Sequence, residues 1–207
     1  MAGVLDTKGV FLALLFGMTI VYTGGLSYLI LMIVFFVLAI AATRYEHEIK
    51  RDMGLYEHER GWENVFANGI LPTILAVLTS TIGPLPFICS LAAITADKFA
   101  SEIGVLDQKQ PISIFSFRKV KPGTSGAVSV IGTVASLCGA MLIGFASIFL
   151  FKMTPTQALL IGAAGFIGSF VDTLFGVYEE NGVGTKETTN FFCSLAGALA
   201  GHLISWI

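Results

Sequence analysis

The sequence predicts an all-α, polytopic integral membrane helix bundle, and three observations carry that prediction. Of its 207 residues, 55% are hydrophobic and 13% charged, where soluble domains carry about 25% charged residues. Mean hydropathy is +0.81. The apolar residues are gathered into runs that cross, or nearly cross, a bilayer when helical, which takes roughly 20 residues. A formal net charge of −2 gives no electrostatic footprint for nucleic acid, and no nucleic-acid partner is expected. Cys89, Cys138 and Cys193 all fall in apolar runs without metal-ligand spacing and read as small core hydrophobes.

Hydropathy divides the chain into about seven spans. They are 9–23, 26–42, 64–82, 85–96, 127–151, 156–178 and 190–206. The first, fourth and seventh are short, so six spans plus a re-entrant segment is the alternative. A Gly24-Gly25 turn joins the first two, and a Gly83-Pro84 break opens the fourth. The whole chain, 1–207, reads as one membrane domain. Within it lie an N-terminal hairpin (1–43), an amphipathic surface segment (44–63) and a catalytic helix bundle (64–207) with a polar loop at 98–126. Met1 to Lys8 is too short for a cleavable signal peptide. With seven spans, every Lys and Arg except Lys152 falls on one side. The positive-inside rule makes that side cytoplasmic, together with the N-terminus. The expected location is the cell membrane, or an organelle membrane in a eukaryote, and self-association is left open.

Asp172 lies inside the sixth span, where a carboxylate costs at least roughly 2.5–3.5 kcal/mol on insertion scales. Ala164, Gly168, Asp172 and Gly176 recur every four residues and share one helix face, flanked by Ser169 and Thr173. Small residues there serve either tight helix packing or close approach of a ligand. In the fourth span Ala93, Asp97, Ser101 and Gly104 form a similar stripe. Carboxylates from different helices suit Mg²⁺, which takes one or two protein acids and leaves other positions to water and phosphate. Glu102 joins that set only if the helix ends near Ser101; otherwise it is a solvated helix end.

Between the two acids runs a basic loop, Lys119-Val120-Lys121-Pro122-Gly123-Thr124-Ser125-Gly126. Thr124 or Ser125 can cap a helix starting near Ala127, and the glycines let successive amides point inward at a phosphate. The plainer alternative is a basic turn that only sets topology. No GxxxxGK[ST] string occurs, so this is not a P-loop. Ser129, Thr133 and Ser136 continue a polar stripe into the next span. Arg60, Asn64 and Asn68 form another stripe, either contacting a ribose, base or phosphate or bonding other helices. Asn190 opens the last span as a cap or a ligand contact. His47, His58 and His202 show no metal spacing.

These strings, in this order, resemble a known family. They are Asn64-Val65-x-Ala67-Asn68-Gly69, Asp97-x-x-x-Ser101-Glu102-x-Gly104, Pro122-Gly123-Thr124-Ser125-Gly126-x-Val128-Ser129, Gly168-Ser169-x-x-Asp172-Thr173-x-x-Gly176 and Asn190-Phe191. The family is the multi-pass one that contains plant phytyl-phosphate kinase and animal transmembrane protein nineteen. Lys98, Phe99, Ser125 and Ala127 depart from its pattern, which has Thr, Trp, Asn and Gly there. The resemblance implies CTP-dependent phosphorylation of an isoprenyl monophosphate to the diphosphate at the cytoplasmic face of the bilayer.

Combined, the two lines predict a phosphotransferase with Mg²⁺ held by Asp97 and Asp172, and by Glu102 if it converges. Lys119, Lys121 and the amides of Gly123–Gly126 would clamp phosphoryl groups. Asn64, Asn68, Ser101, Thr124, Ser125, Ser129, Ser169, Thr173 and Asn190 would bind nucleotide or lipid phosphate. A cytidylyltransferase would use the same ligands but attack the α-phosphate. A secondary transporter would use Asp97 and Asp172 for ion coupling near broken helices.

Overall fold

The computed structural model describes residues 5–55 and 61–206. Their helices are, in chain order, α1 (Thr7–Gly24), α2 (Leu26–Arg44), α3 (His47–Asp52), α4 (Trp62–Val77), α5 (Thr79–Ile82), α6 (Leu85–Gly104), α7 (Val130–Phe151), α8 (Pro155–Glu180) and α9 (Lys186–Ile204). Among the described residues, a two-stranded sheet lies between α6 and α7. There β1 (Ile112–Ser113) pairs antiparallel with β2 (Ala127–Val128).

Local sequence explains the main boundaries. The Asp6 carboxylate accepts from the Gly9 amide at 2.6 Å and starts α1. Gly25 turns the chain into α2 with φ +89°. Thr154 and Gln157 form a capping box ahead of Pro155, which occupies the first turn of α8.

α1, α2, α7 and α8 are each long and apolar enough to cross a membrane. The expected count of seven also included α4, α6 and α9, which are shorter or more polar. α4 has 16 residues, and α6 ends in a charged turn containing Asp97, Lys98 and Glu102. α6 has no need of a lipid-facing apolar surface, because other helices surround it.

From Leu85 to Ala96 every residue of α6 is buried, with α2, α4, α7, α8 and α9 packed around it. Glycines let those helices come close. A Cβ on Gly139 of α7 would lie 2.9 Å from the Thr95 carbonyl oxygen. One on Gly168 of α8 would lie 2.5 Å from the Ala93 Cβ, and one on Gly197 of α9 would lie 2.5 Å from the Cys89 carbonyl oxygen. Bilayer helices gain their association energy from such close van der Waals contact. Buried hydroxyls cost little in this packing: Thr43, Thr73 and Thr95 each donate to the carbonyl four residues back. Cys89 and Cys193 are buried as expected, whereas Cys138 is exposed on α7.

In the segment after α2, six residues form α3, and residues 56–60, with His58 and Arg60, lie outside the described residues. Lys50 turns inward and is 1% exposed. Its ammonium donates to the carbonyls of Ala42 (2.9 Å) and Thr43 (2.6 Å), closing the C-terminal end of α2. It also pairs with Glu102 at 3.0 Å, which ties α2 and α3 to α6.

Replacing Gly197 by Val is expected to lower stability by about 1–3 kcal/mol through overpacking. Gly17→Ala, which meets only Leu29 Cδ1 at 3.5 Å, should be neutral or mildly stabilising; thermal unfolding in detergent checks both. Lys50→Met should cost about 1–3 kcal/mol, because it leaves the Ala42 and Thr43 carbonyls without this donor and Glu102 with Lys98 and Thr43. Arg51→Met, whose pair with Asp52 spans 4.0 Å at the surface, should change stability by less than about 0.5 kcal/mol.

Candidate functional site

Three helices meet where Gly168 of α8 touches Ala93 of α6 and Cys193 and Gly197 of α9. One helical turn from that contact, toward the loop between α6 and α7, stand Asp97, Asp172 and Asn190. The sequence spacing is +4 from Ala93, +4 from Gly168 and −3 from Cys193. Because α9 runs antiparallel to α6 and α8, all three offsets point the same way. The result is a cavity of 540 Å³ lined by α6, α7, α8, α9 and the loop Pro122–Gly126.

Asp97 and Asp172 face each other across α6 and α8, with Thr189 beside them. The Asp172 Oδ1 is buried and accepts no hydrogen bond. A buried carboxylate oxygen without a donor is costly, and a second carboxylate beside it adds repulsion. Among the described residues no three His, Cys, Asp or Glu side chains are grouped to enclose a metal. The site is therefore a two-carboxylate pair open to the cavity, not a closed protein cage.

The loop wall is held against α8. A Cβ on Gly176 would lie 2.6 Å from the Gly126 amide nitrogen, so both glycines are required for this approach. Gly123 and Gly126 have φ of +86° and +72°, a region that glycine enters without strain. The Ser125 amide donates to Glu180 Oε1 at 2.8 Å, so an anionic oxygen already sits on this loop.

The helix start predicted near Ala127 is shifted, because Ala127 and Val128 form β2. Ser129, not Thr124 or Ser125, caps α7 and accepts from the Gly132 amide at 3.0 Å. Asp107 accepts from the Ile131 amide at 3.1 Å. Two of the four free amides of α7 are thus satisfied within the protein, and its N-terminus is not an open anion site. Hydrogen bonds from the backbone of Lys109 and then Ile131 hold the Asp107 carboxyl below its ordinary range.

The cavity brings together Asp97, Ser101, Gly123, Thr124, Ser125, Gly126, Ser129, Ser169, Asp172, Thr173 and Asn190. Ser169 accepts from Ser136 across the α7–α8 contact at 3.0 Å. Glu102 reaches the rim, but its carboxylate is drawn to the α2–α3 side. There it accepts from Thr43 at 2.8 Å and pairs with Lys50 at 3.0 Å and Lys98 at 3.4 Å. α6 continues to Gly104 instead of ending near Ser101, so Glu102 stays rotated away from Asp97.

Lys119 and Lys121 are exposed and do not line the cavity. Backbone bonds hold the basic stretch against 111–113, including Val120 to Pro111 at 2.9 Å. Asn64 and Asn68 also lie elsewhere: the Asn68 side chain donates to the Asn64 carbonyl at 2.8 Å within α4, so neither bridges helices through that bond. Arg60 lies outside the described residues.

Lys186, at the first position of α9, was not singled out as a site residue, and it lines the cavity together with Thr189. It stands one turn before Asn190, a spacing that places both on one face. That signal was present in the sequence.

The family described as integral membrane protein DUF92 matches residues 1–202. The chain belongs to this family. It is 36% identical over 97% of its length to an uncharacterized membrane protein of Methanocaldococcus jannaschii, covering 85% of that protein. It is 27% identical to Protein PGR of Arabidopsis thaliana, over 89% of this chain and 72% of the plant protein. It is also 25% identical to the chloroplastic Protein VTE6 of Arabidopsis thaliana, over 97% of this chain and 64% of that one. No solved structure matches it.

Asp172→Asn is expected to stabilise the ligand-free protein by about 1–3 kcal/mol, since it relieves repulsion and an orphaned charge. Thermal unfolding measures this; a lowered midpoint would refute the reading of the acid pair.

Proposed function

We propose that this chain is a phosphotransferase that passes a phosphoryl group from a nucleoside triphosphate, CTP, to an isoprenyl monophosphate at the cytoplasmic membrane face. The observation that carries the reading is the orphaned Asp172 Oδ1 beside Asp97, in a cavity walled by a glycine-bearing loop. The kinase activity and the isoprenyl substrate come from the resemblance to the family containing plant phytyl-phosphate kinase. Similarity to the chloroplastic relative supports them.

The donor set fits Mg²⁺. This ion takes one or two carboxylates from a protein when phosphates supply other ligands, and of the acids lining the cavity, Glu179 among them, Asp97 and Asp172 face each other. Asp97 and Asp172 would hold it, and Glu102, committed to Lys50 and Lys98, drops from the set. When bound, the ion neutralises charge on the phosphate oxygens.

The remaining roles fall to residues that line the cavity. Gly123–Gly126 and the Lys186 ammonium face the phosphoryl groups, in place of the exposed Lys119 and Lys121. Ser101, Thr173 and Asn190 supply polar contacts that orient nucleotide and acceptor. A lipid monophosphate is already ionised, so no general base is needed. Positioning and charge neutralisation supply most of the catalysis in phosphoryl transfer.

The transporter reading calls for interrupted helices at the acids. Asp97 and Asp172 instead sit within the continuous helices α6 and α8, which favours the enzyme.

Purified protein incubated with Mg²⁺, each nucleoside triphosphate and a series of prenyl monophosphates should yield CDP and prenyl diphosphate. Pyrophosphate with a CMP-linked lipid would identify a cytidylyltransferase instead. Asp97→Asn and Asp172→Asn should each reduce turnover on the order of 10²-fold or more; undiminished Mg²⁺-dependent transfer by Asp172→Asn would overturn the assignment.

A further inference from the structure

One wall of the cavity is the seam between α7 and α8. The two helices run antiparallel and are in close contact at their far ends, where a Cβ on Gly144 would lie 2.4 Å from the Ala158 carbonyl oxygen. Nearer the acids a buried Ser136–Ser169 hydrogen bond of 3.0 Å joins them. Thr133 and Phe170 line the cavity beside that bond, and Phe170, 48% exposed, belongs with Ile167 and Leu174 to the stripe of exposed apolar side chains on α8. On α8 this stretch of the seam ends at the contact of Gly126 with Gly176 and Val177. From Ser169 to Gly176 is seven residues, or about 10 Å of helix at 1.5 Å per residue.

This stretch lies between two helices that are both long and apolar enough to cross the membrane. Its frame is apolar in effect. Phe166 and Phe170 lie one turn apart on α8, and the Thr133 hydroxyl donates to the Ser129 carbonyl at 2.8 Å, which leaves its methyl as the distinctive surface. Asp172 lies six residues past Phe166, about 9 Å along the helix. An ionised head at the acids and an apolar chain leaving through this stretch are thus within one molecule's reach. A water-soluble substrate has no use for an opening there, whereas a molecule already partitioned into the bilayer does.

We propose that the cavity opens sideways into the bilayer between α7 and α8, that Thr133 and Phe170 frame a portal for the single apolar chain of a phosphate-headed amphiphile, and that Phe166 lines the cavity beneath it. The phosphate head rests on the phosphotransferase reading; the portal rests on the geometry of α7 and α8.

The test uses the full-length protein in nanodiscs and a C16 alkyl monophosphate carrying a mid-chain diazirine. After irradiation, mass spectrometry should find label on residues 133–137 and 166–170, and pyrophosphate should compete it away. Thr133→Trp should reduce that labelling at least tenfold, and Phe170→Trp should do the same if the first variant fails to fold. Leu142→Trp, also exposed on α7 but outside the cavity, should stay within twofold. Label confined to other helices, absent label, or labelling unaffected by either plugging variant would overturn the portal. No nucleotide or turnover is involved. Labelling at the portal without phosphoryl transfer from any nucleotide would therefore support the portal while sinking the kinase. Transfer without portal label would do the reverse.

Discussion

The contact of Gly168 with Ala93, and of both with Cys193 and Gly197, sets the register on which the site depends. No side chain separates the helices there, so α6, α8 and α9 have little freedom to slide past one another. Each helix carries its polar residue one turn toward the loop, and the fixed register brings Asp97, Asp172 and Asn190 to one depth. A bulkier residue at 168 would part the acids as well as the helices. Close packing, which in a bilayer takes the place of hydrophobic association, here also does the work of aligning chemistry.

The charged residues then sort into two groups with different energetics. Lys50, Glu102 and Lys98 satisfy one another beside α2 and α3, with buried carbonyls completing the Lys50 ammonium. That cluster is complete in itself and anchors the N-terminal hairpin. Asp97 and Asp172 are arranged in the opposite sense: like charges adjoin, and one oxygen has no donor. Structures retain such costly pairs where a ligand compensates them. The loop Pro122–Gly126 shares this readiness for charge, since Glu180 already places an anionic oxygen on its Ser125 amide.

Helical character, the two acids and the glycine-bearing loop were legible because each depends on local pattern. The four-residue recurrence of Ala164, Gly168, Asp172 and Gly176 reads directly as one face of a helix, and small residues beside an acid in an apolar run stand out. Residues whose fate depends on partners far away in sequence were misplaced. Glu102 looked free to turn toward Asp97 until Lys50, fifty-two residues earlier, drew it away. Lys119 and Lys121 looked like phosphate ligands until pairing of 111–113 with the following stretch turned them outward. Asn64 and Asn68 differ from these, because their tie is local: the Asn68 amide donates to the Asn64 carbonyl within the same helix. Lys186 was overlooked because its spacing from Asn190 gains meaning only once α9 borders the cavity.

By itself the sequence determined that this is a helical membrane protein with one carboxylate inside an apolar run, a second at the end of another, and a glycine-bearing basic loop. Composition and short-range periodicity are enough for that, because backbone hydrogen bonds in lipid must close within the helix. Only the tertiary structure decided which polar residues share a cavity. That outcome depends on interhelical register and direction, set by contacts such as Gly168 with Ala93 and Gly126 with Gly176. Three glycines and an alanine carry no sign of which neighbour they will touch until the chain has folded.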